Sequence, residues 1–288
     1  MSSYVIFTDS GCDTSAELLN EWGIKKEDLT FRFDGNDKEY RDSEMPVKEF
    51  YQRMRDGEVA RTSAINSETF KEAFRTELEK GNDILFVAFS SGISTTYNSG
   101  RLAVEELKEE FPERKLYAVD SLCASVGSGL LLYVMSQKQK EGMSIDDLYK
   151  FTEENKLKIA HWFTVEDLKY LKRGGRISAT SAFVGTVLNI KPVLHMDDEG
   201  KLINMIKVRG RKSAIKALAD KYTNTAEDPE NGLVFIGQTD SMDDAKALAA
   251  ILKERHGVEV HHFSDVGPVI GAHTGPGLVV MCFFAKER

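Results

Sequence analysis

The sequence ILFVAF at residues 84–89 is followed by SSGISTTYNSG at 90–100 and by RLAVEELKEE at 101–110. The first of these segments is short, unbroken and rich in branched and aromatic residues, which predicts a strand buried on both faces. From Arg101 onward the apolar residues recur at every fourth position between charged ones, which predicts a helix. The hydroxyl-rich segment 90–99 therefore connects a buried strand to the helix that follows it.

This hydroxyl-rich segment has the position of a ligand-binding loop. In an open parallel sheet, the loops at the carboxyl ends of the strands line the ligand crevice, and a helix N-terminus offers free N–H groups to an anion. Helix capping and turn formation alone explain about two or three of the polar side chains. We therefore expect the segment to hold a negatively charged or carboxyl group. Its polar residues are Ser90, Ser91, Ser94, Thr95, Thr96, Asn98 and Ser99.

Strand patterns alternate with helix patterns along the chain, which predicts an α/β protein. At 288 residues the chain is longer than one core usually organises, so we expect two α/β domains or one large one. The predicted boundary separates an N-terminal domain of residues 1–158, with a mostly parallel sheet, from a C-terminal domain of residues 159–288. In the second domain, the turn DEG at 198–200 joins two strand patterns as an antiparallel hairpin, so this sheet is expected to be mixed.

Two further segments are predicted to be loops. RTSAINS at 61–67 carries several hydroxyl groups just before a helical pattern. GPVIGAHTGPG at 267–277 has four glycines and two prolines, which predicts a rigid loop with His273 at its centre, in a structural or a functional role. A small apolar helix is expected at 181–188. The strand pattern that follows contains Pro192, which favours an edge strand or a position at the end of a strand.

Two basic clusters stand out in an acidic protein, KRGGRIS at 172–178 and RGRKS at 209–213. The adjacent glycines of the first cluster predict an exposed, flexible loop between Arg173 and Arg176. One interpretation is a solvated loop whose arginines pair with neighbouring carboxylates. The other is contact with a phosphate or an acidic partner, and the sequence favours neither.

The composition excludes several classes of function. A net charge of −8 argues against general attraction to nucleic acid or anionic lipid, and no recognition-helix pattern supports a DNA-binding regulator. No apolar run approaches the roughly twenty residues of a membrane span, and the first residues do not resemble a secretory leader, so a cytoplasmic protein is expected. Cys12, Cys123 and Cys282 are widely spaced and suggest neither a disulfide framework nor a zinc site, and no cofactor is expected.

Eight motifs in this sequence resemble those of the DegV family and occur in the same order. The resemblance covers nearly the whole chain, and LKRGGRIS at 171–178 together with the last glycine-rich segment is specific. The family includes the fatty-acid-binding subunits of bacterial fatty acid kinase. The motifs are TDSGCDTS at 8–15, RTSAIN at 61–66, SSGISTTYNS at 90–99, VDS at 119–121, DLKYLKRGGRIS at 167–178, NIKPVLHMDDEGKL at 189–202, RGRKSA at 209–214 and GPVIGAHTGPG at 267–277.

The resemblance implies a two-domain α/β protein that buries one long-chain fatty acid in an apolar tunnel between its domains. It also implies that the chain is not itself an enzyme but presents the carboxylate to a separate kinase subunit. That subunit uses ATP to form an acyl phosphate for phospholipid synthesis, a role that fits transient membrane contact. The carboxylate-binding residues implied are Thr62, Ser63, Ser94, Thr95 and His273. The residues implied to meet the kinase are Arg173, Arg176, Arg209 and Arg211.

The sequence departs from the usual family pattern at two places. Many members have Ser-Gly-Thr where this chain has Ser94, Thr95 and Thr96, and many have TSQPS where it has TSAIN at 62–66. These changes bear on which fatty acid is preferred more than on whether one is bound. We also expect neutral donors to hold the carboxylate, because they avoid the desolvation cost of a buried arginine pair.

Two other functions fit parts of the sequence. A phosphate- or nucleotide-handling enzyme would use the hydroxyl-rich segment together with Asp9, Asp13 and Asp120, which could hold magnesium, although no Walker motif is present. A serine hydrolase would use Ser94 with His273, but Ser94 does not lie in a GxSxG motif.

Overall fold

A computed structural model of the chain describes residues 3–178 and 189–288 and confirms the predicted α/β fold. Strands and helices alternate through the first half as the sequence pattern indicates. In chain order this half contains β1 (Tyr4–Asp9), α1 (Ala16–Trp22), β2 (Ile24–Glu27), β3 (Thr30–Phe33), β4 (Tyr40–Arg41), α2 (Val47–Arg55), β5 (Ala60–Ser63), α3 (Ser67–Leu78), β6 (Asp83–Ala88), α4 (Thr96–Glu110), β7 (Leu116–Asp120), α5 (Val126–Lys140) and α6 (Ile145–Asn155).

The second half begins at Ile159 and builds a sheet of its own. The small helix predicted at 181–188 lies outside the described residues. In chain order the described elements are β8 (Ile159–Thr164), α7 (Lys169–Arg173), β9 (Ile190–Met196), β10 (Leu202–Arg209), α8 (Arg211–Thr225), β11 (Val234–Gln238), α9 (Met242–His256), β12 (His262–Asp265), α10 (Pro268–Thr274) and β13 (Val279–Phe284).

The strands form three sheets. The first is parallel, in the order β2-β1-β6-β7, and the second is a small antiparallel sheet in the order β4-β3-β5. The third is mixed, in the order β10-β9-β8-β13-β11-β12, with only the β11–β12 pair parallel. The predicted parallel sheet and the predicted mixed sheet are therefore both confirmed.

Strand β6 is the centre of the parallel sheet, and all six of its residues are buried, as the sequence predicted. Helix α4 begins at Thr96, earlier than the apolar repeat from Arg101 suggested. Its first turns lie directly on β6 because residue 100 is a glycine: a Cβ there would be 2.1 Å from the Phe86 ring. The hydroxyl-rich segment is thus a short connection between two tightly packed elements.

Helix α5 is shared by the two larger sheets. Its Leu130 and Leu131 belong to one buried cluster with Val119 of the parallel sheet and with Phe235 and Cys282 of the mixed sheet. A helix that is apolar on most of its surface is typical of such a buried position. The core therefore continues across the predicted boundary, and the division into two domains stays a prediction. In the described part of the chain, no helix combines the length and apolar composition of a membrane span.

The prediction of a loop at 61–67 is wrong for its first residues. Ala60–Ser63 forms β5, which pairs antiparallel with β3 so that Thr62 lies opposite Phe31. The segment ARTS has little strand character by composition, and it becomes a strand because β3 supplies a pairing edge. Thr62 is therefore held by a sheet, not by a loop.

The prediction of a rigid loop at 267–277 is also wrong. Pro268–Thr274 forms helix α10, with the proline in its first turn, where its missing N–H costs nothing. Within the segment 267–277, only Gly275 and Gly277, which follow the helix, have positive φ, at 73° and 94°. His273 therefore lies in the last turn of a helix, and its position depends on how that helix is anchored.

Pro192 lies neither in an edge strand nor at a strand end, contrary to the prediction, since it is the third residue of β9. Strand β9 is in the interior of the mixed sheet, but β8 pairs only with its residues Leu194 and His195. Pro192 pairs with Lys207 on the other side and lies beyond the β8 ladder, where its missing N–H disrupts no bond to β8.

Candidate functional site

A cavity of about 410 Å³ lies between the carboxyl-end loops of the parallel sheet and one face of the mixed sheet. This volume falls in the range of small-molecule sites. The loops after β6 and β7 contribute to one side, and strands β8, β9, β10 and β13 contribute to the other. Its wall is largely apolar and includes Phe89, Ile93, Phe163, Met196, Leu202 and Val280.

A pair of polar side chains closes one end of this cavity. The Oγ1 atom of Thr62 lies 2.9 Å from Nε2 of His273, joining β5 to the last turn of α10. A second, smaller cavity of about 180 Å³ shares Thr62, His273 and Arg176 with the first and is also lined by Arg61 and Arg173. The pair therefore marks the boundary between the apolar interior and a cationic outer cavity.

The imidazole of His273 is kept neutral by its surroundings. Burial lowers its pKa to about 4, and the charges of Arg176 and Arg173 act in the same direction. Its Nδ1 atom is buried and has no hydrogen-bond partner among the described residues. The RGG turn approaches this atom closely because its first glycine has no side chain: a Cβ on Gly174 would lie 2.1 Å from Nδ1.

Helix α10 is anchored by side chains from the first half of the chain. The carboxylate of Asp13 accepts a hydrogen bond from the Gly267 N–H at 2.8 Å, and that of Asp42 accepts one from the Val269 N–H at 2.8 Å. Burial raises the pKa of both carboxyls, that of Asp42 to about 6. These bonds fix the start of the helix whose last turn carries His273.

A buried tyrosine also holds helix α10 in place, through a hydrogen bond just before its first residue. The Tyr51 hydroxyl of α2 donates to the Val266 carbonyl at 2.7 Å. Gly271 lies directly on this side chain, since a Cβ there would be 2.2 Å from the hydroxyl oxygen. The two glycines at 267 and 271 thus permit close packing of α10, which is the physical reason for the glycine density of the segment.

The hydroxyl-rich segment divides between the site and the scaffold. Ser91, Ser94 and Thr95 line the cavity, as expected for a ligand loop. The Ser94 hydroxyl donates to Oγ1 of Thr96 at 3.0 Å, and the Thr96 N–H donates to Oγ of Ser94 at 3.2 Å. Ser90 points elsewhere and donates to the Gly200 carbonyl at 2.8 Å, which ties the segment to the β9–β10 hairpin.

Ser63 is outside the site. It follows Thr62 in strand β5, where successive side chains point to opposite faces. Its side chain is exposed and does not line the cavity. Four of the five residues predicted to bind a carboxylate therefore meet at one cavity, and Ser63 does not join them.

The four predicted partner-binding arginines do not all line one cavity. Arg173 is exposed in the outer cavity, whereas Arg176 also lines the apolar interior. Arg209 is exposed at the end of β10, and Arg211 is only 18% exposed, with Nε bonded to Asp244 at 2.8 Å. Neither Arg209 nor Arg211 lines the outer cavity.

The aspartates considered for a magnesium site bind backbone groups instead. Asp9 accepts hydrogen bonds from the N–H groups of Gly11 and Phe89, both at 3.0 Å. Asp120 accepts from the Ser91 N–H at 3.1 Å and thereby shapes the cavity loop. Across residues 3–178 and 189–288, no group of three or more acidic, histidine or cysteine side chains has the arrangement of a metal site.

Sequence reasoning missed the apolar wall and the interior position of Arg176. Phe163, Met196 and Val280 come from three strands that are far apart in the sequence, so no local pattern marks them as neighbours. The sequence marked Gly174 only as part of the RGG motif. The structure explains this glycine, because it lies directly against the buried His273 ring.

The fold and the cavity define a three-sheet α/β protein with an apolar cavity that ends in neutral hydroxyl and imidazole groups. A family model described as "Uncharacterised protein, DegV family" matches residues 3–286, and this chain belongs to that family. The resemblance found in the sequence motifs is thereby confirmed.

Relatives and solved structures agree with this assignment. A DegV domain-containing protein of Clostridium perfringens is 40% identical over 289 residues, covering 100% of this chain and 99% of the relative. A fatty acid (stearic acid)-binding protein from Eubacterium ventriosum has a TM-score of 0.89 at 26% identity, covering 98% of each chain. A fatty-acid-binding DegV family protein from Thermus thermophilus has a TM-score of 0.88 at 29% identity, covering 99% of this chain and 100% of that chain.

Proposed function

We propose that this chain binds one long-chain fatty acid between its two halves, with the tail in the apolar cavity and the carboxylate at the Thr62–His273 pair. The observation that carries the proposal is an apolar cavity whose neutral polar end meets an opening to the surface. Two solved family members with this fold are fatty-acid-binding proteins, which supports the same class of ligand.

The tail supplies most of the affinity. Burying about fifteen methylenes at roughly 0.8 kcal/mol each gives on the order of 12 kcal/mol before losses, enough for tight binding. The apolar wall also disfavours a nucleotide or a sugar phosphate, whose polar groups would lose their hydration without gaining hydrogen bonds. The phosphate-handling alternative therefore has little support from the cavity.

The head group is oriented by hydroxyl and imidazole groups. We assign the neutral His273 ring its proton on Nε2, because the opposite tautomer leaves a buried N–H at Nδ1 without a partner among the described residues. In that tautomer Nε2 donates to Thr62 Oγ1, and the Thr62 hydroxyl proton is directed to the carboxylate. Thr95 next to the N-terminus of α4 offers a further donor, and the Ser94 hydroxyl becomes one when it turns from Thr96 to the ligand.

In this proposal the chain is not itself an enzyme and presents the carboxylate to a separate kinase subunit, which forms the acyl phosphate with ATP. The outer cavity supports this role because it reaches Thr62 and His273 from the surface. Exposed Arg173 at this opening suits contact with a phosphate or an acidic partner. Contact through Arg211 has less support, since its guanidinium is already bonded to Asp244.

The binding step is tested by titrating delipidated protein with a radiolabelled fatty acid. We expect saturation at one ligand per chain, with no competition from ATP or inorganic phosphate. Competition by either compound, or binding of nucleotide without binding of fatty acid, would contradict the proposal and favour the phosphate alternative.

The partner step is tested with the loaded chain, ATP and a purified fatty acid kinase subunit. Acyl phosphate is expected only when both proteins are present. Formation of acyl phosphate by the loaded chain and ATP alone would show that the chain is an enzyme and would overturn this part of the proposal.

A further inference from the structure

Arg176 occupies an unusual place in the main cavity. Of the described residues that line it, Arg176 alone carries a charge at neutral pH, since the two lining histidines, His161 and His273, have lowered pKa values. The neighbouring Arg173 lines the outer cavity but not the main one. A half-buried cation in an apolar wall is costly unless something compensates its charge.

Backbone carbonyls hold this guanidinium in place without neutralising it. Its Nε donates to the Ile93 carbonyl at 3.0 Å, and its Nη1 donates to the Gly174 carbonyl. The first bond connects the hydroxyl-rich segment to the RGG turn, and the second lies within that turn. They use two of the five N–H donors of an arginine and fix the direction in which the group points.

Arg176 lacks an ion pair of the kind that the comparably buried Lys26 and Arg211 possess. Lys26 is 17% exposed and lies 2.8 Å from Asp28, and Arg211 is 18% exposed and lies 2.8 Å from Asp244. Within residues 3–178 and 189–288, no carboxylate lies at salt-bridge distance from Arg176. The rest of the sequence, residues 1–2 and 179–188, contains neither Asp nor Glu.

We infer that Arg176 is the counter-ion of the bound head group and selects an ionised fatty acid over an uncharged ester. The inference rests on the proposed function and deepens it by assigning the charge preference to one residue. It differs from the expectation of neutral donors alone, and it gives Arg176 a role inside the site in place of partner contact. The hydroxyl and imidazole groups orient the carboxylate, and Arg176 compensates its charge.

The test compares Arg176→Gln with Arg173→Gln, two substitutions of the same residue type three positions apart. Dissociation constants are measured for palmitic acid and for methyl palmitate, which has the same tail. In Arg176→Gln the preference for the acid should fall by about tenfold to a hundredfold, the loss of a charge-assisted hydrogen bond, with little change for the ester. Arg173→Gln should keep the preference of the original chain, and Arg176→Lys should restore part of it.

Equal weakening of both ligands in Arg176→Gln would indicate a structural role and overturn the inference, as would an unchanged preference. A ligand-free measurement separates this failure from failure of the proposed function. The pKa of His273, followed by NMR, should rise in Arg176→Gln and rise less in Arg173→Gln, because Arg176 depresses it more strongly. If the original chain binds neither palmitic acid nor its ester, the proposed function fails and the inference fails with it, whatever pKa is measured for His273.

Discussion

The wall and the polar end of the cavity are built in different ways. The wall collects apolar side chains from several strands of the mixed sheet and from loops of the parallel sheet. The end depends on Thr62, His273 and the few backbone hydrogen bonds that anchor α10. Many small apolar contributions tolerate an exchange of one hydrophobic residue for another, whereas a single hydrogen bond has no substitute. Affinity and head-group orientation should therefore respond to different substitutions.

The largest effect is expected from a charge placed in the wall. Leu202→Asp replaces a partly buried apolar side chain that lines the cavity with a carboxylate. We expect fatty acid affinity to fall by about a hundredfold or more, because a buried leucine is worth about 1.5–3 kcal/mol and an unpaired charge costs further free energy. Equilibrium dialysis measures the change.

Leu102→Asp is the matched control for this wall variant. Leu102 lies on α4, is 40% exposed and does not line the cavity. Its replacement should leave fatty acid affinity unchanged. Similar affinities for the two variants would mean that the tail does not lie along this wall.

His273→Gln tests the polar end of the cavity through the pH dependence of the unfolding free energy. The pKa of His273 is about 4 in the folded protein and 6.5 ordinarily, so between these values the unfolded chain binds a proton that the folded chain does not. The stability due to neutral His273 is fully present above pH 6.5 and is lost toward pH 4 at about 1.4 kcal/mol per pH unit. The difference in unfolding free energy between the original chain and His273→Gln should shrink accordingly, as measured by urea unfolding. A difference that stays constant across this range would show an imidazole with an ordinary pKa.

Thr62→Val removes one hydroxyl from the end without changing the side-chain shape. Fatty acid affinity should fall by about tenfold, the upper range for one hydrogen bond. Ser94→Ala should weaken binding less, since the Ser94 hydroxyl already donates to Thr96. Ser63→Ala is the control, because this neighbour is exposed on the other face of β5. Unchanged affinity in both Thr62→Val and Ser94→Ala would remove these residues from the site.

The smallest effect is expected from Tyr51→Phe, which removes the hydrogen bond from α2 to Val266. The free energy of unfolding should fall by about 1 kcal/mol, and fatty acid affinity should fall about twofold as α10 loosens. Tyr4→Phe removes a comparable bond to the Met143 carbonyl, at 2.9 Å, away from the cavity. It should lower stability to a similar degree and leave affinity unchanged. Equal affinities in the two variants would show that the position of α10 does not depend on Tyr51.

The sequence predicted those parts of the fold that depend on local patterns. Strand β6 and the polar segment after it were predicted because an unbroken apolar run is followed, within a few residues, by apolar residues at every fourth position. Helix α10 was missed because its glycines suggest a loop, although they serve close packing on Tyr51 and between the carboxylates of Asp13 and Asp42. Strand β5 was missed because its pairing with β3, and not its composition, makes it a strand.

The candidate site was predicted only in part, for a related reason. Thr62 and His273 are separated by 211 positions in the sequence, so their contact was suggested by family resemblance and not by spacing. Arg176 was assigned to the surface because the RGG motif suggests an exposed loop, yet two backbone carbonyls turn its side chain inward. Whether a side chain points into the interior depends on tertiary packing, which a local sequence pattern does not show.

The most direct test of the central claim is mass spectrometry of an organic extract from the purified, denatured protein. One equivalent of a long-chain fatty acid per chain is the predicted result, and it would also identify the preferred acyl chain. A lipid-free extract, with a nucleotide or sugar phosphate released instead, would contradict the account and leave the family resemblance describing the fold alone.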